Sequence, residues 1–246
     1  MINVDKVIDE AVEWIKSIVK EAGAKGVVFG LSGGIDSAVV AALCKKAFPD
    51  DSLGVIMPCY SNPVDEEHAH LVADALKLET KTVVLNDAFD AMKALLRVQE
   101  GDPRLAVANI KARLRMITVY YNAGVRNYIV AGTGNRSELT IGYFTKYGDG
   151  GVDFMPLTSF VKKEVVELAY KLGIPEIVIT KPPTAGLWEN QTDEQEMGMS
   201  YEELDNYILT GNGSERIKSR VDGMYQRSEH KRLPVPKFVP TEKGNM

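Results

Sequence analysis

The 246-residue chain has only two cysteines, Cys44 and Cys59, so no disulfide framework can hold it, and a reducing compartment, the cytoplasm, is expected. Both sit in apolar surroundings and read as small buried hydrophobes. Histidine is equally scarce: His68, His70 and His230 are all there are. His68 and His70 lie two apart on a predicted helix, so they do not share a face and make a poor metal-ligand pair. No excess of positive charge is present. Twenty-nine Lys and Arg against 34 Asp and Glu leave a net charge of −5, which speaks against a nucleic-acid partner. No apolar run approaches the roughly 20 residues of a membrane span. The amphipathic N-terminal segment is broken by Asp5, Asp9, Glu10 and Glu13, unlike a signal peptide. Repeats, low-complexity stretches and a domain boundary are also missing, so one large domain over residues 1–246 is expected.

What is there alternates. Apolar residues from Val4 to Val19 recur at helical spacing, with Gly23 as a stop. Gly26 to Leu31 reads as a buried strand, and Ser37 to Ala47 as a helix apolar nearly all round. Strands are expected again at Leu53–Pro58, Lys81–Leu85 and Asn127–Ala131. Helices are expected at Pro63–Leu76, Asp87–Arg97, Arg104–Tyr121 and Lys162–Leu172. This alternation predicts an α/β fold: a single, doubly wound, mostly parallel sheet flanked by helices. Ligands of such sheets bind at the carboxyl ends of the strands, which brings the turns after the first, second and fourth strands together. The stretch from Ile179 to Gly198 is long, polar and without periodicity. A mobile loop at about 180–198, serving as a lid, is one reading; a plain surface loop is the other.

The first strand ends in Gly30-Leu31-Ser32-Gly33-Gly34-Ile35-Asp36-Ser37. A glycine turn feeding a helix offers backbone N–H groups and the positive end of a helix dipole to an anion. Gly33 and Gly34 let phosphate oxygens approach the main chain, Ser32 and Ser37 add hydroxyls, and Asp36 suits a magnesium ion shared with the phosphates. A Walker A loop needs Lys where Asp36 stands, and a dinucleotide fingerprint needs a different glycine spacing. Gly30-Leu31-Ser32-Gly33-Gly34 does fit a nucleophile elbow, so a serine hydrolase built on Ser32 is a rival. After the fourth strand, Gly132 to Glu138 carries capping-box spacing from Asn135 to Glu138, and opposite a phosphate loop Glu138 offers magnesium a second carboxylate. The segment Gly142 to Asp153 is glycine-rich and aromatic, as in a ligand loop. Asn109 and Arg113 are four apart on one helical face. Lys162 opens a helix, where a lysine is disfavoured unless it meets an anion.

The loop Gly30–Ser37 resembles the signature of the N-type ATP pyrophosphatases, which adenylate a substrate and release pyrophosphate. Asn109–Met116, Gly132–Glu138, Phe144–Asp149, Pro183-Thr184-Ala185 and His230-Lys231-Arg232 occur in the order found in the NAD synthetase family. The resemblance covers nearly the whole chain. It implies the adenine nucleotide alpha hydrolase-like fold and amidation of deamido-NAD by ammonia through an acyl-adenylate. It places ATP on Gly30, Leu31, Ser32, Gly33, Gly34, Ile35, Asp36, Ser37, Thr133, Lys162 and Thr184, and Mg2+ on Asp36 and Glu138. Deamido-NAD would meet Arg113, Lys146, Asp153, His230 and Lys231, and Asp149 would handle ammonium beside the nicotinate. Asp36, Lys162 and Asp149 are the implied catalytic residues. The family is usually a homodimer with the dinucleotide site between subunits. Because the chain shows no glutaminase-type domain, free or delivered ammonia is the expected nitrogen source. A tRNA-thiolating enzyme and a non-enzymatic nucleotide sensor are the remaining alternatives.

Overall fold

A computed structural model describes residues 3–184, 186, 188 and 192–240. Strand and helix alternate through its first half: α1 (Val4–Glu21), β1 (Gly26–Gly30), α2 (Ile35–Ala47), β2 (Ser52–Ile56), α3 (Pro63–Leu76), β3 (Glu79–Thr82), α4 (Asn86–Leu96), α5 (Arg104–Arg126) and β4 (Tyr128–Val130). Helices follow: α6 (Arg136–Ile141), α7 (Lys162–Lys171), α8 (Glu176–Ile179), α9 (Asp193–Met197), α10 (Tyr201–Thr210) and α11 (Glu215–Arg232).

The four strands form one parallel sheet in the order β3-β2-β1-β4. Successive side chains of a strand face opposite ways, and β1 uses both faces. Val27 and Phe29 join Ile15, Val39, Leu43 and Leu168 in one core, beneath α1, α2 and α7. Val28 joins Leu53, Val55, Phe89 and Val119 in the other, beneath α4 and α5. The doubly wound reading is correct, and the all-round apolar helix α2 is buried as its sequence requires.

Three boundaries differ from the sequence reading. The third strand is Glu79–Thr82, not Lys81–Leu85, because β2 pairs with it in the register Leu53↔Glu79 to Ile56↔Thr82. It is an edge strand with mostly exposed side chains, so hydrophobicity marks the wrong residues. Val83 and Leu85 still donate to Ile56 and Pro58 carbonyls, prolonging the edge without regular pairing. Helix α5 runs on to Arg126, closed by left-handed Asn127. The stretch 179–198 is not uniformly irregular: Ile179 closes α8, and Asp193–Met197 is helical with Met197 fully buried. Ala185, Leu187 and residues 189–191 of that stretch lie outside the described residues.

A third apolar cluster, Ile141, Met197, Tyr201, Leu204, Ile217 and Val221, packs α6, α9, α10 and α11 together. It anchors the first half of α11 through Ile217 and Val221. Gly142 has a φ of +69°, and any side chain there would overlap Ser228 of α11. Among the described residues no helix is long and apolar enough to cross a membrane.

Candidate active site

The exits of β1, β2 and β4 open onto one cavity of about 620 Å³, a size that suits a nucleotide-scale ligand. At the β1 exit the Leu31 amide donates to the Val55 carbonyl at 2.9 Å, so the loop leaves the sheet at a fixed height. Ser37 folds back: its hydroxyl donates to the Gly34 carbonyl at 2.8 Å and lies 3.0 Å from the Ser32 hydroxyl. Gly34 caps α2 with no side-chain hydrogen bond, which leaves first-turn amides available to an anion. Gly33 is the one residue from Gly30 to Ser37 that does not line the cavity. With a φ of +74° it turns into α3, where a side chain would overlap the Asp65 carbonyl.

The charged centre sits where α2, α6 and α7 begin. Asp36 Oδ1 accepts from Asn135 Nδ2 at 2.8 Å, and Oδ2 is ion-paired with the Lys162 ammonium. Asn135 also accepts from the Glu138 amide while Glu138 Oε2 accepts from the Asn135 amide, a complete capping box. The capping-box reading of Glu138 is met, and the Asp36 charge acts on its carboxyl. Desolvation and the neighbouring Asp36 charge push the Glu138 carboxyl up to about 8, against the opposing pull of Lys162. Burial pulls the Lys162 ammonium down, but Asp36 and Glu138 outweigh it and hold the group above its ordinary value. Two carboxylates forced together in a low-dielectric site call for a cation. The donor set fits magnesium, which takes one or two carboxylates and completes its shell with substrate phosphates and water.

Sequence reasoning missed Asp193. This buried carboxylate accepts hydrogen bonds from Tyr143 at 3.1 Å and Tyr201 at 3.0 Å, and it raises Lys162 further. The Tyr201 ring lies 5.0 Å from the Lys162 ammonium. Asp193 falls in the stretch without periodicity, and its partners are 50 and 8 residues away, so no local pattern marks it. Arg115 lies within the segment Asn109–Met116 but has no role of its own in the sequence reading. Its guanidinium donates to the Met57 carbonyl at 3.2 Å and to Ser61 Oγ at 3.1 Å, bracing the β2 exit.

On the opposite wall, Asn109, Arg113, Lys146, Asp149, His230 and Lys231 meet, as do Thr133 and Thr184 on the phosphate side. Lys146 Nζ donates to the His230 carbonyl at 2.5 Å, and Lys231 Nζ donates to the carbonyls of Gly142 and Phe144, both at 2.7 Å. The end of α11 is thereby clamped to the glycine-rich loop. Desolvation pushes the Asp149 carboxyl up, although the Thr145 amide donates to it at 3.0 Å. Asp153 is different. It does not line the cavity; its carboxylate accepts from the Val130 amide at 2.7 Å and from the Tyr120 hydroxyl at 2.9 Å, fastening β4 to α5.

Ser32 has no histidine partner among the described residues; its hydroxyl is engaged with Ser37, so the hydrolase constellation does not form. Both cysteines are buried and free, and burial pushes each thiol up, away from the reactive thiolate a thiolase needs.

The family model described as NAD synthase matches residues 7–235. The NH(3)-dependent NAD(+) synthetase of Carboxydothermus hydrogenoformans is 52% identical over 95% of this chain and 97% of its own length. That of Finegoldia magna is 49% identical over 96% of this chain and 97% of its own length. Among solved structures, NMN synthetase from Francisella tularensis superposes with a TM-score of 0.92 at 35% identity, covering 98% of this chain and all of its own. The NH3-dependent NAD synthetase of Campylobacter jejuni gives a TM-score of 0.80 at 31% identity, with coverage of 98% and 100%.

Proposed function

The chain belongs to the NAD synthase family, and from that premise we propose that its cavity joins ammonia to the nicotinate carboxylate of deamido-NAD at the expense of ATP. The observation that carries this reading is the juxtaposition of the open first turn of α2 with the Asp36–Lys162–Glu138 cluster. A carboxylate is a poor acyl donor because oxide is its leaving group. Adenylation replaces oxide with AMP. The nicotinate oxygen attacks the α-phosphorus of ATP, pyrophosphate leaves, and ammonia then displaces AMP from the acyl-adenylate to give NAD. Most of the work is positioning and charge stabilisation. The loop amides and hydroxyls from Gly30 to Ser37 hold the phosphates. Lys162 offsets the charge that builds on the departing pyrophosphate. Thr133 and Thr184 contact ATP. Arg113, Lys146, His230 and Lys231 hold the acceptor, and Asp149, on the same wall, handles ammonium beside the nicotinate. Asp153 acts at one remove, by setting β4 against α5. Asp36 and Glu138 would hold Mg2+, which when bound supplies neutralising charge to the phosphates. Of residues 182–198, Pro182, Pro183, Thr184, Gly186, Asp193 and Glu196 line the cavity, and there they shield the adenylate from water.

The likeness to NMN synthetase supports a second acceptor, the mononucleotide with the same nicotinate carboxylate. The purified chain, given ATP, magnesium and ammonium with either deamido-NAD or nicotinate mononucleotide, is expected to form amide, AMP and pyrophosphate in equal amounts, with the higher kcat/KM for deamido-NAD. A higher value for the mononucleotide reverses the acceptor assignment. ATP turnover with neither acceptor, or none at all, ends the amidation reading.

We also propose a homodimer. Ile117, Tyr121 and Val125 recur every four residues along α5 and are all exposed, which makes an apolar stripe on the helix that carries Asn109 and Arg113. Sedimentation is expected to return twice the 27.1 kDa of one chain. A species of single-chain mass at micromolar concentration would contradict it.

A further inference from the structure

Lys181 and Asp65 form an ion pair on the cavity wall, with side chains 17% and 18% exposed. Neither belongs to the motifs read from the sequence. Asp65 stands in the first turn of α3, and its carbonyl is the group packed against Gly33 of the phosphate loop. Lys181 follows α8 and immediately precedes the segment that carries Thr184, and Gly186 of that segment lies beside the other oxygen of Asp65. Two ion-paired lysines therefore line the cavity, Lys162 with Asp36 of the phosphate loop and Lys181 with Asp65, whose main chain packs against Gly33. An ammonium group has three donors, and one carboxylate oxygen uses one of them.

We propose that Lys181 is a second phosphate-binding cation, kept at the cavity wall by Asp65 and donating to the β- and γ-phosphates when ATP enters. The inference rests on the ATP-dependent reading above and adds a catalytic residue to it. As the nicotinate oxygen bonds to the α-phosphorus, the bond from that phosphorus to the β-bridging oxygen breaks, and the electron pair stays on the bridging oxygen. Lys162 and Lys181 meet that gathering charge with N–H groups, and no proton changes hands. When pyrophosphate leaves, Asp65 takes Lys181 back. The carboxylate thus competes with the product for the same ammonium, which favours release.

The competition gives the test a sign. Inhibition by added inorganic pyrophosphate is measured for the wild type, Lys181→Ala and Asp65→Asn, together with kcat and the thermal midpoint. Lys181→Ala is expected to weaken pyrophosphate inhibition and lower kcat, each about tenfold. Asp65→Asn is expected to strengthen inhibition several-fold, because the lysine loses its internal partner. It decides the matter alone if Lys181→Ala does not fold. A pair that only ties the segment to α3 would lower both thermal midpoints and leave pyrophosphate inhibition unchanged. That result, with normal wild-type turnover, overturns this inference and leaves the proposed function standing. A wild type that releases no pyrophosphate from ATP removes both.

Discussion

Asp36→Asn will lower NAD formation by on the order of 10³-fold, with a much smaller change in the KM for ATP. The substitution keeps the size of the side chain and an oxygen for Asn135 to donate to, but it deletes the charge that Lys162 pairs with. Glu138 and Asp193 remain near that lysine, so the ammonium is not left alone in the interior. Losing the pair costs stability. Removing the repulsion that pushes up Glu138 returns some of it, so the urea midpoint moves little. The loop amides, which do not depend on Asp36, still hold ATP. Following NAD, AMP and pyrophosphate together checks the claim, and a kcat within tenfold of the wild type would take Asp36 out of the machinery.

Gly33→Ala will damage fold and activity together. At a φ of +74° an alanine pays roughly 1–2 kcal/mol for the left-handed backbone. Its methyl group would also overlap the Asp65 carbonyl, and that atom is main chain at the start of α3 and cannot swing aside. Forced displacement adds roughly 1–3 kcal/mol. Either α3 retreats or the phosphate loop does, and a shift of about 1 Å in a positioned group costs on the order of 10²-fold in rate. Gly23→Ala is the control. Its φ is +65° but nothing lies near the missing side chain, so stability alone should fall, by roughly 1–2 kcal/mol. Equal activity losses in the two variants would show that the contact with Asp65 is irrelevant.

The parts of this site that the sequence announces are those whose local geometry and chemistry coincide. Gly30 to Ser37 is such a part, since the short residues that make the turn also leave its open amides facing the cavity, with Gly33 alone turned away to pack on α3. Glu138 is another, because the residue that closes the capping box also lines the cavity. Asp193, Arg115 and Lys181 leave no local trace. Each acquires its place from partners 50, 58 and 116 residues away, and a polar residue in an irregular stretch looks alike whether it faces water or a buried ammonium. The edge strand β3 was misplaced for a related reason: backbone pairing with β2, not burial, defines it. The family resemblance gives Asp153 to the acceptor, and in the structure its carboxylate lies outside the cavity lining and takes hydrogen bonds from Val130 and Tyr120.

The grip of Lys231 on Gly142 and Phe144 spans 89 and 87 residues of chain, and it lies at the end of α11, the last helix among the described residues. A polypeptide emerging from the ribosome has its four strands and its phosphate loop long before it has α11. The part of the cavity around the phosphate loop can therefore take shape while synthesis continues, whereas the wall that Lys231 fastens waits for α11. A chain cut short before α11 would carry the loop and lack the clamp, so the synthesis of α11 is the step that joins the two walls into one site.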